Sequence, residues 1–134
     1  MKKIYCTFLF SVGIFLLIPL RLPAQSNTHP KDSLETNSTL KTGRAIYLKN
    51  CSGCHGEKGQ GFAGPNLTDK YWLHGGETKE IMTSIREGIP DKGMIAWKIV
   101  FSPGEIQTIT DYVRSLQGTN PPKSKKPEGK LYNG

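Results

Sequence analysis

The chain has 134 residues and a formal charge of +7, a length that allows one domain and little more. The charge sits at the ends, on Lys2, Lys3 and Arg21 and on Lys123, Lys125, Lys126 and Lys130, while residues 26–119 hold 11 basic and 10 acidic side chains. With a nearly neutral middle and no basic patch interleaved with aromatics, nucleic acid is excluded as the expected partner.

Residues 1–25 open with two lysines, run apolar from Ile4 to Leu20, and end in small residues around Ala24. That is the layout of a secretory signal. The apolar run of 17 residues, closed by Pro19 and Arg21, is at the short edge of a bilayer span, so the same segment left uncleaved would be an N-terminal anchor. Either way the rest of the chain is expected to be exported and periplasmic. Cys6 lies in this run, which leaves Cys51 and Cys54 in a compartment where small domains normally use disulfides as staples. A single pair is a thin framework for a domain of roughly 90 residues, whose core is modest. A large covalently attached apolar cofactor would complete it.

Residues 26–38 are polar and unpatterned and read as a linker. From Leu40 the residues Leu40, Gly43, Tyr47 and Cys51 recur at three- and four-residue steps, which predicts an amphipathic helix from about Thr39 that delivers the cysteines at its far end. Gly56, Gly59, Gly61, Gly64 and Pro65 make the next stretch a loop. A short helical turn fits residues 67–77. A second helix is predicted over Thr78–Glu87, with Ile81, Met82 and Ile85 on one side and Gly88 as its stop. Residues 89–101 read as an irregular excursion. The last helix carries the clearest signals: Ser102 as N-cap, Pro103 at the first position, Glu105 closing a capping box, and Gly118 beyond the end. Gly43 and Tyr47 facing Tyr112 and Leu116 suggest a close crossing of the first and last helices. Residues 119–134, rich in proline and lysine, are expected to form a flexible basic tail. The pattern shows no repeat and no strand ladder. It predicts an all-α domain over 39–118, with about three main helices and loops wrapped around the cofactor.

Cys51, Cys54 and His55 project to one side of a helical turn. Two thiols there can add to the vinyl groups of a haem while the adjacent imidazole reaches the iron, and Cys-x-x-Cys-His is the attachment signal for haem c. Zinc would need four ligands, and only His29 and His74 remain without partner cysteines. A redox dithiol would be expected beside a strand–helix start, which the surrounding sequence lacks.

For the second axial position the candidates are Met82, Met94, His29 and His74. Met82 belongs to the apolar face of its helix, where methionine is ordinarily filler. Met94 lies in a glycine- and proline-bearing loop 39 residues after His55, where its side chain can turn to the iron from the opposite side. It is the favoured ligand, with His74 the main rival as a loop histidine and His29 in the linker. The Pro65 carbonyl is a candidate acceptor for the second N–H of His55, and also an ordinary turn proline. Trp72 and Trp97 carry indole donors for haem propionates, or serve as packing aromatics.

Over residues 39–118 these motifs resemble class I c-type cytochromes. The stretch from Gly43 to Gly76, the helix leading to GIPDKGMIAW, and SPGEIQTITDYVRSLQG are similar to the terminal haem domain of the dihaem subunit of high-affinity haem–copper oxidases. The resemblance implies a small all-α fold, His55 and Met94 as axial ligands, and one-electron transfer rather than catalysis. The chain carries one attachment motif where that subunit normally carries two, and Ile95 where relatives commonly place proline. A monomeric shuttle between redox proteins and a subunit of a membrane-bound oxidase are both compatible with this pattern. A haem enzyme or gas sensor would require an open sixth position on the iron.

Overall fold

A computed structural model describes residues 30–134, with side chains from residue 37 onward. The predicted leader and His29 lie outside the described residues. Four helices organise the described residues: α1 Pro30–Asn50, α2 Ser52–His55, α3 Thr78–Glu87 and α4 Pro103–Ser115. Among the described residues none is long and apolar enough to cross a membrane.

Helix α1 begins at Pro30 rather than near Thr39, so much of the predicted linker is helical. The expectation rested on a missing apolar pattern. Such a pattern reports a buried face, not the helix itself, and Pro30 opens a run free of glycine and further proline that a helix accepts readily.

Helices α1 and α4 form the main packing pair, with α3 against α4. The core is Tyr47, Leu67, Ile81, Ile85, Ile106, Ile109, Tyr112, Val113 and Leu116. At the crossing, a Cβ on Gly43 would lie 2.4 Å from the Thr108 carbonyl oxygen and 2.7 Å from Tyr112 Cβ; the missing side chain is what lets the two backbones approach. The Tyr47 and Tyr112 rings meet there at 5.2 Å between centroids. Helix α4 has the predicted cap: Glu105 accepts from the Ser102 amide at 2.8 Å, and Ser102 Oγ accepts from the Glu105 amide. Helix α3 spans Thr78–Glu87 as predicted and is capped by a box built on Glu77 and Glu80; only the cap itself lacks a sequence signal, because glutamate is not among the usual N-caps.

Residues 119–134, expected as a loose tail, are instead fastened to the body. The Lys125 amide donates to Gln60 O at 2.8 Å, and the Tyr132 amide to Lys70 O at 2.8 Å. Strand β2 (Lys130–Leu131) pairs antiparallel with β1 (Tyr71–Trp72). Composition concealed this, because main-chain groups make the attachment while the lysines and prolines give the segment its solvated appearance.

Candidate functional site

Helix α1 hands its last turn directly to the motif: the Cys51 amide donates to Tyr47 O, and the His55 amide to Cys51 O. Tyr47, fully buried, donates its hydroxyl to Gly56 O at 2.7 Å. The motif is therefore locked to the α1–α4 crossing at both ends. Cys51 is half-buried and Cys54 exposed, and no disulfide joins them. Burial, then the neighbouring Cys54, push the Cys51 thiol up to about 11. A redox dithiol works through a thiolate of lowered pKa, so this environment opposes that reading.

The loop after the motif folds back over it. Gly61 donates to His55 O at 2.7 Å, and Gly64 to Cys54 O at 2.8 Å; Phe62 also reaches Cys54 O. Gly64 lies against the imidazole, where an added Cβ would stand 2.7 Å from His55 Cε1 and 2.9 Å from Nδ1. Sequence reading sees Gly64 only as a turn residue, and nothing in its spacing announces this contact.

His55 Nδ1 is 3.0 Å from Pro65 O. A carbonyl only accepts, so Nδ1 carries the proton and the lone pair is on Nε2. Burial holds the imidazole below its ordinary pKa; the Pro65 bond offsets part of this, and the Lys125 charge adds to it. The result is a neutral ring in a fixed tautomer, the form that ligates metal.

Next to Pro65, Asn66 is buried and serves as a junction. Its Oδ1 accepts from the Thr68 amide and hydroxyl, and its Nδ2 donates to Asp69 at 2.9 Å and to Lys125 O at 3.3 Å.

Met94 is held in a different way. Ile89 and Met94 form an antiparallel bridge, closing a small loop through a 3-10 turn at Pro90–Lys92 and a left-handed Gly93. Gly88, with φ +70°, lets this loop approach the end of α3, since a Cβ there would lie 2.4 Å from the Ile95 carbonyl carbon. Met94 and Met82 are both half-buried against the core, whereas His74 is exposed. Trp97 stacks on Phe101 at 5.5 Å and also packs on the core. Among the described residues, Trp72 Nε1 is the buried side-chain polar atom left without a hydrogen-bond partner. Such a group is costly to desolvate unless something accepts from it.

Two free thiols and an imidazole with its metal-binding nitrogen available are the groups that covalent haem requires, and the orphaned Trp72 donor fits a propionate. The family model described as "Cytochrome C oxidase, cbb3-type, subunit III" matches residues 38–113. The chain belongs to this family. Its haem c is covalently bound, as in c-type cytochromes. The chain is 37% identical over 113 residues to the Cbb3-type cytochrome c oxidase subunit FixP of Azorhizobium caulinodans, a match covering 72% of this chain and 39% of that one. Similar figures hold for the CcoP subunit of an Azospirillum species, at 37% identity, 75% of this chain and 38% of that subunit. The match thus spans less than half the length of these curated relatives. Among solved structures, cytochrome cL from Hyphomicrobium denitrificans is similar at a TM-score of 0.57 and 27% identity, covering 71% of this chain and 63% of that one. These neighbours bear out the predicted cytochrome c fold, here mostly helical with one two-residue strand pair among the described residues.

Proposed function

We propose that this chain is a one-electron carrier of an exported respiratory chain, with Cys51 and Cys54 as the thioether anchors and His55 and Met94 as the axial ligands. The observation that carries the reading is the His55 ring, whose Nδ1 is committed to Pro65 O at 3.0 Å and whose Nε2 is thereby left for iron. When bound, haem c supplies a ferric/ferrous couple. The protein's residues do the rest. The Pro65 carbonyl orients the imidazole and raises its basicity, the Met94 thioether would favour the reduced state as a ligand, and the Trp72 N–H would have an acceptor in a propionate. Trp97, held by its stack on Phe101, would pack beside the haem from the same loop as Met94. With His55 and Met94 as its ligands the iron would offer no open position to a substrate.

The names of the relatives favour a setting within a cbb3-type oxidase at the membrane; in our reading the haem domain is itself monomeric, receives electrons from a donor protein and passes them on there. The N-terminal segment, as leader or anchor, would deliver it to the periplasm. Visible spectra of the purified protein in both redox states test the axial assignment. Met94→Ala should abolish the sulfur-to-iron band of the oxidised form and admit carbon monoxide to the reduced form; an unchanged band would overturn Met94 as ligand. Rapid electron exchange with an isolated cbb3-type oxidase tests the setting.

A further inference from the structure

Helix α4 ends at Ser115, and the family match ends at residue 113, yet the chain continues across the face of the haem-motif loop. Three sets of contacts fasten it there. At Gly118 the amide donates to Thr68 O at 2.7 Å. At Lys125 the amide donates to Gln60 O at 2.8 Å, while the carbonyl accepts from Asn66 Nδ2 at 3.3 Å. At Gly129–Tyr132 the chain pairs with β1, and Gly129 lies so close that a Cβ would stand 2.3 Å from Trp72 O. The Tyr132 ring and Trp72 both lie against Gly76.

The middle contact bears on the iron. Gln60 belongs to the loop that folds back onto Cys54 and His55, and Asn66 follows Pro65 directly. With its amide on one and its carbonyl on the other, Lys125 spans the two ends of a loop whose Pro65 oxygen fixes the His55 ring. Asn66 is only 6% exposed, so its Nδ2 has little recourse to water if Lys125 moves away. The Lys125 side chain pairs with Glu128 at 3.0 Å, and because its charge also acts on His55, the main-chain role has to be tested with the charge removed in both variants.

We propose that residues 119–132 are a positioning strap, with the Lys125 main chain holding Pro65 against His55 and thereby setting the imidazole's hydrogen bond and the haem potential. The proposal rests on the haem reading above, since the potential has meaning only if His55 ligates iron.

The test compares Lys125→Pro with Lys125→Gln in the full chain, matured with haem. Both remove the charge; only proline removes the N–H that Gln60 accepts. Amide hydrogen exchange at Gly61, Gly64 and Leu67 should quicken at least tenfold in Lys125→Pro and stay near wild type in Lys125→Gln. The midpoint potential of Lys125→Pro should lie above that of Lys125→Gln, because a looser Nδ1–H bond leaves a less basic imidazole to stabilise ferric iron. Gly129→Val, which forces β2 off β1, gives a second perturbation and should quicken exchange at Tyr132 with no change of charge. If proline and glutamine variants match in both exchange and potential, the strap is only a surface covering and the proposal fails. The haem reading fails separately, if the wild-type chain carries no covalent haem; loop exchange, measured without haem, would still report on the strap.

Discussion

The two loops that supply the proposed axial ligands are built differently. Residues 55–69, on the histidine side, are tied to distant parts of the chain: to Lys125 through Gln60 and Asn66, and to Gly118 at the end of α4 through Thr68. Residues 89–101, on the methionine side, make their main-chain hydrogen bonds among themselves, as in Ile89 with Met94 and Phe101 with Trp97. Exposure does not separate them: Ile99 at 76%, Val100 at 54% and Ile95 at 50% are open on the methionine side, and Phe62 at 78% is equally open on the histidine side. Local stability follows such ties. The histidine side is therefore a socket formed by the polypeptide itself, and the methionine side a self-contained loop that rests against the core.

The largest effects should come from removing the ligand chemistry on each side. Replacing both Cys51 and Cys54 by alanine should eliminate covalently bound haem altogether, read as loss of haem from the denatured polypeptide. Met94→Ala should keep the covalent haem while lowering the midpoint potential, because thioether ligation favours the ferrous form. Its cost to the fold should stay below about 2 kcal/mol, since a half-buried methionine lacks the full cavity penalty. A Met94 variant that failed to retain haem would show the two sides to be equally needed for assembly, against the contrast drawn above.

Next come the two glycines. Gly88→Ala combines a backbone at φ +70°, ψ −177°, a region essentially reserved to glycine and worth about 1–3 kcal/mol for another residue, with a clash against the Ile95 backbone. It should displace the Met94 loop, with a loss of more than about 2 kcal/mol measured by denaturant unfolding. Gly64→Ala has only the contact with the His55 ring to contend with. It should cost about 1–3 kcal/mol as overpacking does, and its distinctive sign should be altered His55 ring resonances in the NMR spectrum with the Met94 signals unmoved.

How far the sequence disclosed this arrangement depends on what kind of group does the holding. Helices α3 and α4 were legible to the residue because side-chain periodicity and the Ser102–Pro103–Glu105 start are local signals. The Cys51–Cys54–His55 motif was legible for the same reason, and Pro65 followed from the need of a ligating imidazole for an acceptor. The early start of α1 was hidden because its first residues, PKDSLET, carry no apolar periodicity in the sequence. The strap and the tie from Asn66 to Lys125 were hidden because they join residues far apart in sequence, and the roles of Gly64 and Gly88 because a glycine's position does not say which neighbour, the His55 ring or the Ile95 backbone, fills the space its missing side chain leaves. Asn66 and Lys125, 59 positions apart, leave no pattern in composition.

The smallest effect should appear in α4, which belongs to neither loop and so provides a yardstick for global stability. Ser102→Ala removes the N-cap side chain, a change worth about 1 kcal/mol, or roughly 4–8 °C in Tm for a domain of this size. The Ser102 hydroxyl, and then its amide, hold the Glu105 carboxyl below the ordinary carboxylate range. A carboxyl whose folded pKa is lowered stabilises the fold above its ordinary value and loses that contribution as pH falls through the lowered one. The gap in Tm between wild type and Ser102→Ala should accordingly be widest near neutrality and narrow in acid, as protonation of Glu105 weakens the box in the wild type. His55 and Met94 signals should be unchanged in the folded variant at every pH where both proteins remain native. A shift in either would mean that α4 transmits strain into the ligand loops, and the difference between socket and resting loop would then need a third participant.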